Sequence, residues 1–263
     1  MNGERTAPTS AQVVAAIARR EVTMALRRRL VKLLFLGNLI PPLGMAVALI
    51  ANIVAKGIGV EDLGWDPLAT LIQVQAGPVL LLALGIGTPL VARDRSEDVL
   101  FLYATRPVTP WSYTIGKMLA VAVPAVGLLV VPGVLMAILR AGLMNDFGLV
   151  DSLLLLGKVL VAGALMAWGY AGVSVGPSAA AKKARWALLI AFACFVIPDI
   201  VSQIVWHGDG YGLSPAKAVD HVIHALFDNE DLDYGVFGAV SLVVWGVLGA
   251  LVTSARVRKE MTP

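Results

Sequence analysis

Charge is what this chain lacks. A soluble domain carries about a quarter charged residues, whereas only 15% of these 263 residues are charged and 58% are hydrophobic. With a mean hydropathy of +0.79, the chain's main solvent is lipid. Cysteine is nearly absent: the single Cys194 lies inside an apolar block, which excludes an intrachain disulfide and leaves no companions for a thiolate metal site. The three histidines, His207, His221 and His224, all fall in one segment between apolar blocks. A net charge of +3 is no nucleic-acid signature, because the basic residues sit in short clusters beside apolar blocks and form no stripe with interleaved aromatics. A cleavable signal peptide is also not expected, since the first apolar run begins near Leu30 behind a long polar and basic stretch. The first span itself would then target the chain to the membrane.

What is there is a set of long apolar runs. Roughly 20 mostly apolar residues make a helix that crosses the hydrocarbon core. Six blocks qualify, at about Leu33 to Ala55, Ala69 to Ala92, Met118 to Leu139, Ser152 to Ser174, Trp186 to Trp206 and Gly235 to Ala255. Several contain proline, at Pro41, Pro42, Pro78, Pro89, Pro124, Pro132 and Pro198. Spans tolerate proline where neighbouring helices supply donors to the freed carbonyls. The expected fold is therefore an all-α integral membrane protein of about six spans, with residues 32–263 as one transmembrane domain and 1–31 as a separate N-terminal stretch.

Orientation follows from Lys and Arg, which are in excess in cytoplasmic loops. Arg19, Arg20, Arg27, Arg28, Arg29 and Lys32 precede the first span; Arg93, Arg95, Arg106 and Lys117 lie between the second and third. Lys182, Lys183 and Arg185 follow the fourth, and Arg256, Arg258 and Lys259 the last. The opposite side holds only Lys56, Arg140 and Lys217 among acidic residues such as Glu61, Asp62, Asp66, Asp146, Asp220 and Asp228. Both termini are expected in the cytoplasm of a bacterial inner membrane. Ahead of the first span, Ser10 would cap a helix from about Ala11 to Arg29. Its face of Val13, Val14, Ile17, Ala18, Met24 and Ala25 would lie in the headgroup layer, though Glu21 and Arg28 blur the stripe.

The most informative loop runs RDRSEDVLFLYATRPVTPWSYTIGK, from Arg93 to Lys117. Asp94 and Glu97 have the spacing of a capping box, which predicts a short helix from Asp94 to about Thr105, stopped by Pro107. Val99, Leu100 and Tyr103 would share one face, with the charges of Asp94, Glu97 and Asp98 at its start. An apolar run in a loop, here including Phe101 and Leu102, marks an interaction surface.

Here the sequence resembles the membrane subunits of type-2 ABC transporters. The resemblance rests on Asp94, Leu102-Tyr103, Thr105-Arg106-Pro107, Tyr113 and Gly116-Lys117 in that order, on the basic interfacial helix, and on the long external segment between the last two spans. Glu97-Asp98 stands where the family often has a Gly-Thr pair, which leaves the subgroup open. The resemblance implies an exporter permease that works as a homo- or heterodimer. ABC ATP-binding subunits would grip the helix from Asp94 to Thr105, including Arg106 and Pro107, as a coupling helix. It further implies short outer helices that close the exit, with Leu226 and Phe227 apolar and His221 and His224 beside them. No phosphate-binding loop occurs: Gly116-Lys117 and Gly157-Lys158 lack the upstream glycine and the following hydroxyl. ATP and its Mg would bind the partner, with no cofactor, metal or catalytic residue on this chain.

Two further groups stand out. Lys158 and Asp199 fall at similar depth in the fourth and fifth spans; intramembrane charges are costly and functional by default. The pair would line a path or drive an ion-coupled secondary transporter; alternatively, Lys158 snorkels and Asp199 bonds backbone freed by Pro198. Asp220, His221, His224 and Asp228 share a helical face at spacings a metal could bridge, or are simply solvated. An intramembrane enzyme is disfavoured because every histidine lies outside the spans.

Overall fold

A computed structural model describes residues 8–57, 67–104, 108–143, 148–206, 213–228 and 232–261, and among them it is helical without strands. The helices are α1 (Ser10–Leu26), α2 (Arg29–Gly37), α3 (Ile40–Gly57), α4 (Pro67–Ser96), α5 (Val99–Ala104), α6 (Pro110–Leu143), α7 (Leu149–Ala180), α8 (Ala184–Trp206), α9 (Pro215–Ile223) and α10 (Leu232–Met261). A π-helical turn, His224–Asp228, continues α9.

Among the described residues, six segments are long and apolar enough to cross a membrane: Arg29–Ala55, Leu68–Ser96, Pro110–Arg140, Val150–Ala180, Ala184–Val205 and Leu232–Met261. They coincide with the six expected blocks and extend most of them by several residues. At 1.5 Å per residue, α4, α6, α7 and α10 are about 45–50 Å long, well beyond the roughly 30 Å hydrocarbon core. Their ends therefore project and carry the polar groups described below.

The first span is broken between α2 and α3 at Asn38 and Leu39. Pro41 and Pro42 sit in the first turn of α3, where neither has an N–H to donate to Gly37 O or Asn38 O, so the ladder is interrupted there. In the second and third spans the helices run through their prolines, and at Pro89 and Pro132 another segment supplies the missing donor. Pro89 deprives the carbonyl four residues back, Gly85 O, of its usual partner; the Arg28 guanidinium donates to it at 3.2 Å. Pro132 does the same to Leu128 O, and the Asn38 amide donates there at 2.6 Å. Ser178 on α7 splints the turn around Pro89: its hydroxyl donates to Thr88 O at 2.7 Å and accepts from Val91 N and Ala92 N.

Helix α7 sits centrally, packing against α10, α6, α4 and α8. Its closest neighbour is α10, along a seam of glycines: a methyl on Gly172 would collide with the backbone of Trp245 and Gly246, and one on Gly176 would lie 3.0 Å from Gly249 Cα. Small residues at four-residue spacing thus serve close packing within the chain. The first span is peripheral, and Leu33, Leu36, Ile40, Leu43 and Val47 face outward from it.

Helix α1 starts one residue earlier than expected. Thr9, not Ser10, is the cap, and it forms a reciprocal box with Gln12: Gln12 N donates to Thr9 Oγ1 at 3.3 Å and Thr9 N to Gln12 Oε1 at 2.9 Å. The helix ends at Leu26, and its buried face is Ile17, Glu21 and Ala25. Ile17 presses on Gly116 of α6, where a Cβ would come within 2.8 Å of it. Met24, expected on the apolar face, is 40% exposed.

Candidate functional site

The polar groups collect at the two ends of the bundle. The basic end gathers α1, the last turns of α4, α7 and α10, and the first turns of α6 and α8. At its centre Lys117 is fully buried, with Nζ 2.7 Å from Glu21 Oε1 and 2.6 Å from Asp94 Oδ2. The Tyr113 hydroxyl donates to the same Asp94 oxygen at 2.7 Å, and the Tyr113 ring lies 5.2 Å from Nζ. One ammonium between two carboxylates ties α1, α4 and α6 together in a low-dielectric setting, where an unpaired charge is very costly. Glu21 interrupts the apolar stripe of α1 because it points at Lys117.

A second polar knot lies alongside. The Arg95 guanidinium donates to both oxygens of Glu260 and to Ala179 O and Ala181 O, at 2.8–3.0 Å. One planar fork therefore joins the ends of α4, α7 and α10. In the sequence Glu21 only interrupts a stripe, Arg95 marks topology, and Lys117 marks topology and closes the Gly116-Lys117 pair. Their partners lie 96 and 165 residues away in the chain, a separation that no local pattern signals.

Between the two knots the chain makes an elbow, and here the expected coupling helix is corrected. Helix α4 continues through Asp94 to Ser96, and the short helix spans only Val99–Ala104. The capping box does not form: Asp94 is engaged by Lys117 and Tyr113, while Glu97 pairs with Arg93 at 2.8 Å. The turn is made at Asp98, whose φ of 53° is the left-handed conformation uncommon outside glycine. The expected outward face is also inverted. Leu100 is buried, and Tyr103 packs edge-on against Tyr113 with ring centroids 5.4 Å apart. Val99 is half-buried, so among the described side chains of this helix the exposed apolar one is Phe101, at 66%. Phe101 borders an open cleft of about 390 Å³ lined also by Arg95, Ser96, Asp98, Leu100, Lys182 and Glu260. Arg106 and Pro107 lie outside the described residues, as do Thr105 and His207.

Lys158 and Asp199 do not meet. Lys158 borders an apolar groove with Val150, Leu153, Gly157 and Leu226. Asp199 accepts from Gln203 Nε2 at 3.2 Å through one oxygen, and its other oxygen is buried without a partner.

At the acidic end, Ser214 caps α9 by accepting from Lys217 N, with Pro215 in the first turn. The helix lies against α10, where Gly238 and Gly235 leave room for Ala218 O and Ala225. Gln73 of α4 donates to Asp220, and His224 sits between Asp228 Oδ2 at 2.7 Å and Asp220 Oδ1 at 3.6 Å. His221 turns the other way, edge-on to Tyr234 with centroids 5.4 Å apart. Burial lowers its pKa; Lys217 and His224 add to this and Asp220 opposes it. The four side chains are thus divided between two directions, and among the described residues no cluster suited to a metal ion occurs. Phe227 is buried, while Leu226 borders the Lys158 groove.

The architecture is that of an all-helical, multi-pass membrane-type bundle. Comparison of the chain with protein-family models and with curated proteins returns no match.

Proposed function

We propose that this chain is the permease subunit of an ATP-driven exporter of the type-2 ABC kind, embedded in a bacterial inner membrane with both ends in the cytoplasm. The observation that carries the reading is the elbow at residues 97–104. An exposed aromatic, Phe101, stands on a short helix beside an open charged cleft; that helix packs on α4 and α10, and two polar knots brace the end of α4 that leads into it. A surface residue on a flexible loop absorbs a push locally. One on a short helix that packs on α10 and follows the braced end of α4 passes it to the spans, so a nucleotide-dependent partner would bias two arrangements of the bundle by differential contact.

In this reading separate ATP-binding subunits, carrying ATP and Mg, take Phe101 into a groove, and a second copy or a homologous permease completes the pathway. Helix α9 and its π turn are the outer closure. The ion-coupled alternative needed Lys158 and Asp199 to act as a pair, and their separation removes its main support.

The test is copurification of an ATP-hydrolysing subunit with the intact chain, compared with Phe101→Asp. Loss of the partner in the variant, with the permease still folded, is the expected result. Undiminished binding, or labelling that puts Phe101 on the periplasmic face, overturns the proposal.

A further inference from the structure

Helices α8 and α10 both lean on α7, but leave an apolar crevice of about 230 Å³ between them, bordered by Gly176, Pro177, Ile190, Cys194, Trp245 and Val252. Its floor is α7, whose Gly176, Pro177 and Ala180 are too small to fill the space between the two flanking helices. Trp245, which donates to Leu213 O at 3.0 Å, closes the deep end. The other end reaches the basic end of the bundle. Val252 is followed one helical turn later by the exposed Arg256, and Ile190 is preceded one turn earlier by Trp186, over which Arg185 lies at 6.0 Å. Lys183, also exposed, starts the same approach.

An apolar slot with cations at one mouth matches an anionic amphiphile. We propose that this crevice is a specific site for an anionic phospholipid of the basic-end leaflet, with one acyl chain laid along the α7 floor and its phosphate held by Lys183, Arg185 and Arg256. The acyl chain supplies depth and the three cations supply headgroup choice, since each basic group near a membrane surface contributes about fivefold in favour of anionic lipid. A zwitterionic lipid fits the slot but gains little from its mouth. This reading is independent of any ATPase partner.

The experiment uses the full chain in nanodiscs with phosphatidylglycerol or phosphatidylcholine brominated on the acyl chains, at equal mole fraction. The signal is Trp245 fluorescence, isolated by subtracting the Trp245→Phe variant. Brominated phosphatidylglycerol is expected to quench at a mole fraction at least about fivefold lower than phosphatidylcholine. The variant K183Q/R185Q/R256Q should bring the two lipids together. Cys194→Phe, which adds bulk in the slot without adding a second indole, should reduce quenching by both; circular dichroism confirms that each variant keeps its helices. Equal quenching by both lipids in the unmodified chain overturns the proposal, as does a preference that survives the triple variant. Absence of quenching by either lipid, with Cys194 forming a disulfide between two chains, would show that a second copy covers the crevice and would also overturn it.

Discussion

The hydrogen bond from Asn38 to the carbonyl orphaned by Pro132 gives the sharpest test of how this bundle is held. Asn38 is 2% exposed and its amide reaches Leu128 O at 2.6 Å, while its own Oδ1 is buried without a partner. Interhelical hydrogen bonds in membranes average about 0.6 kcal/mol and reach about 1.7. A carbonyl whose helix cannot supply a donor belongs near the upper end, so Asn38→Leu should cost about 1.5 kcal/mol. In a Pro132→Ala background, residue 132 regains an N–H and bonds Leu128 O within the helix. Asn38 is then no longer the carbonyl's sole donor, and Asn38→Leu should cost little. The measurement is a double-mutant cycle, with unfolding in mixed micelles driven by sodium dodecyl sulfate and followed by circular dichroism. A coupling of about 1–2 kcal/mol is expected; costs that add to within about 0.5 kcal/mol would refute the reasoning.

Lys117→Met should be the most damaging single change at the basic end, costing about 3–5 kcal/mol, because it strands two buried carboxylates. Adding Glu21→Gln and Asp94→Asn should recover much of the loss in the same unfolding assay; no recovery would mean that the lysine acts by packing alone. On the α7–α10 seam, Gly172→Ala should lower the unfolding midpoint because its methyl meets backbone that cannot yield. Gly127→Ala, where nothing lies within 4 Å, should raise stability by up to about 1 kcal/mol. His221 carries a pKa lowered by burial, so its contribution is complete above the unfolded-state value near 6.5 and is lost as pH falls below it. His221→Gln should therefore flatten the decline in stability between pH 7 and 5; an unchanged slope in the variant would remove this assignment.

The six spans were legible because hydropathy is a local property and lipid imposes a length. The elbow was legible in place but not in form. Asp94 and Glu97 had the spacing of a cap, yet Asp94 is claimed by Tyr113 and Lys117, residues that reach it only when α6 packs beside α4. With its cap lost, the short helix starts at Val99, and the turn falls on Asp98. That shift rotates Leu100 inward and Phe101 outward. Glu21 illustrates the general difficulty: within α1 it reads as noise, because its partner is far along the chain. Lys158 and Asp199 failed in the opposite sense, since equal depth on two spans says nothing about whether their faces meet.

Arg28 and Asn38 are made before the carbonyls they serve, Gly85 O and Leu128 O, which follow 57 and 90 residues later. Until those later helices enter the bilayer, the opening helix has nothing to anchor it and little buried surface of its own. This segment therefore docks only after the third span has entered, onto helices made later than itself. A chain halted before residue 128 should leave that segment free to wander in the membrane.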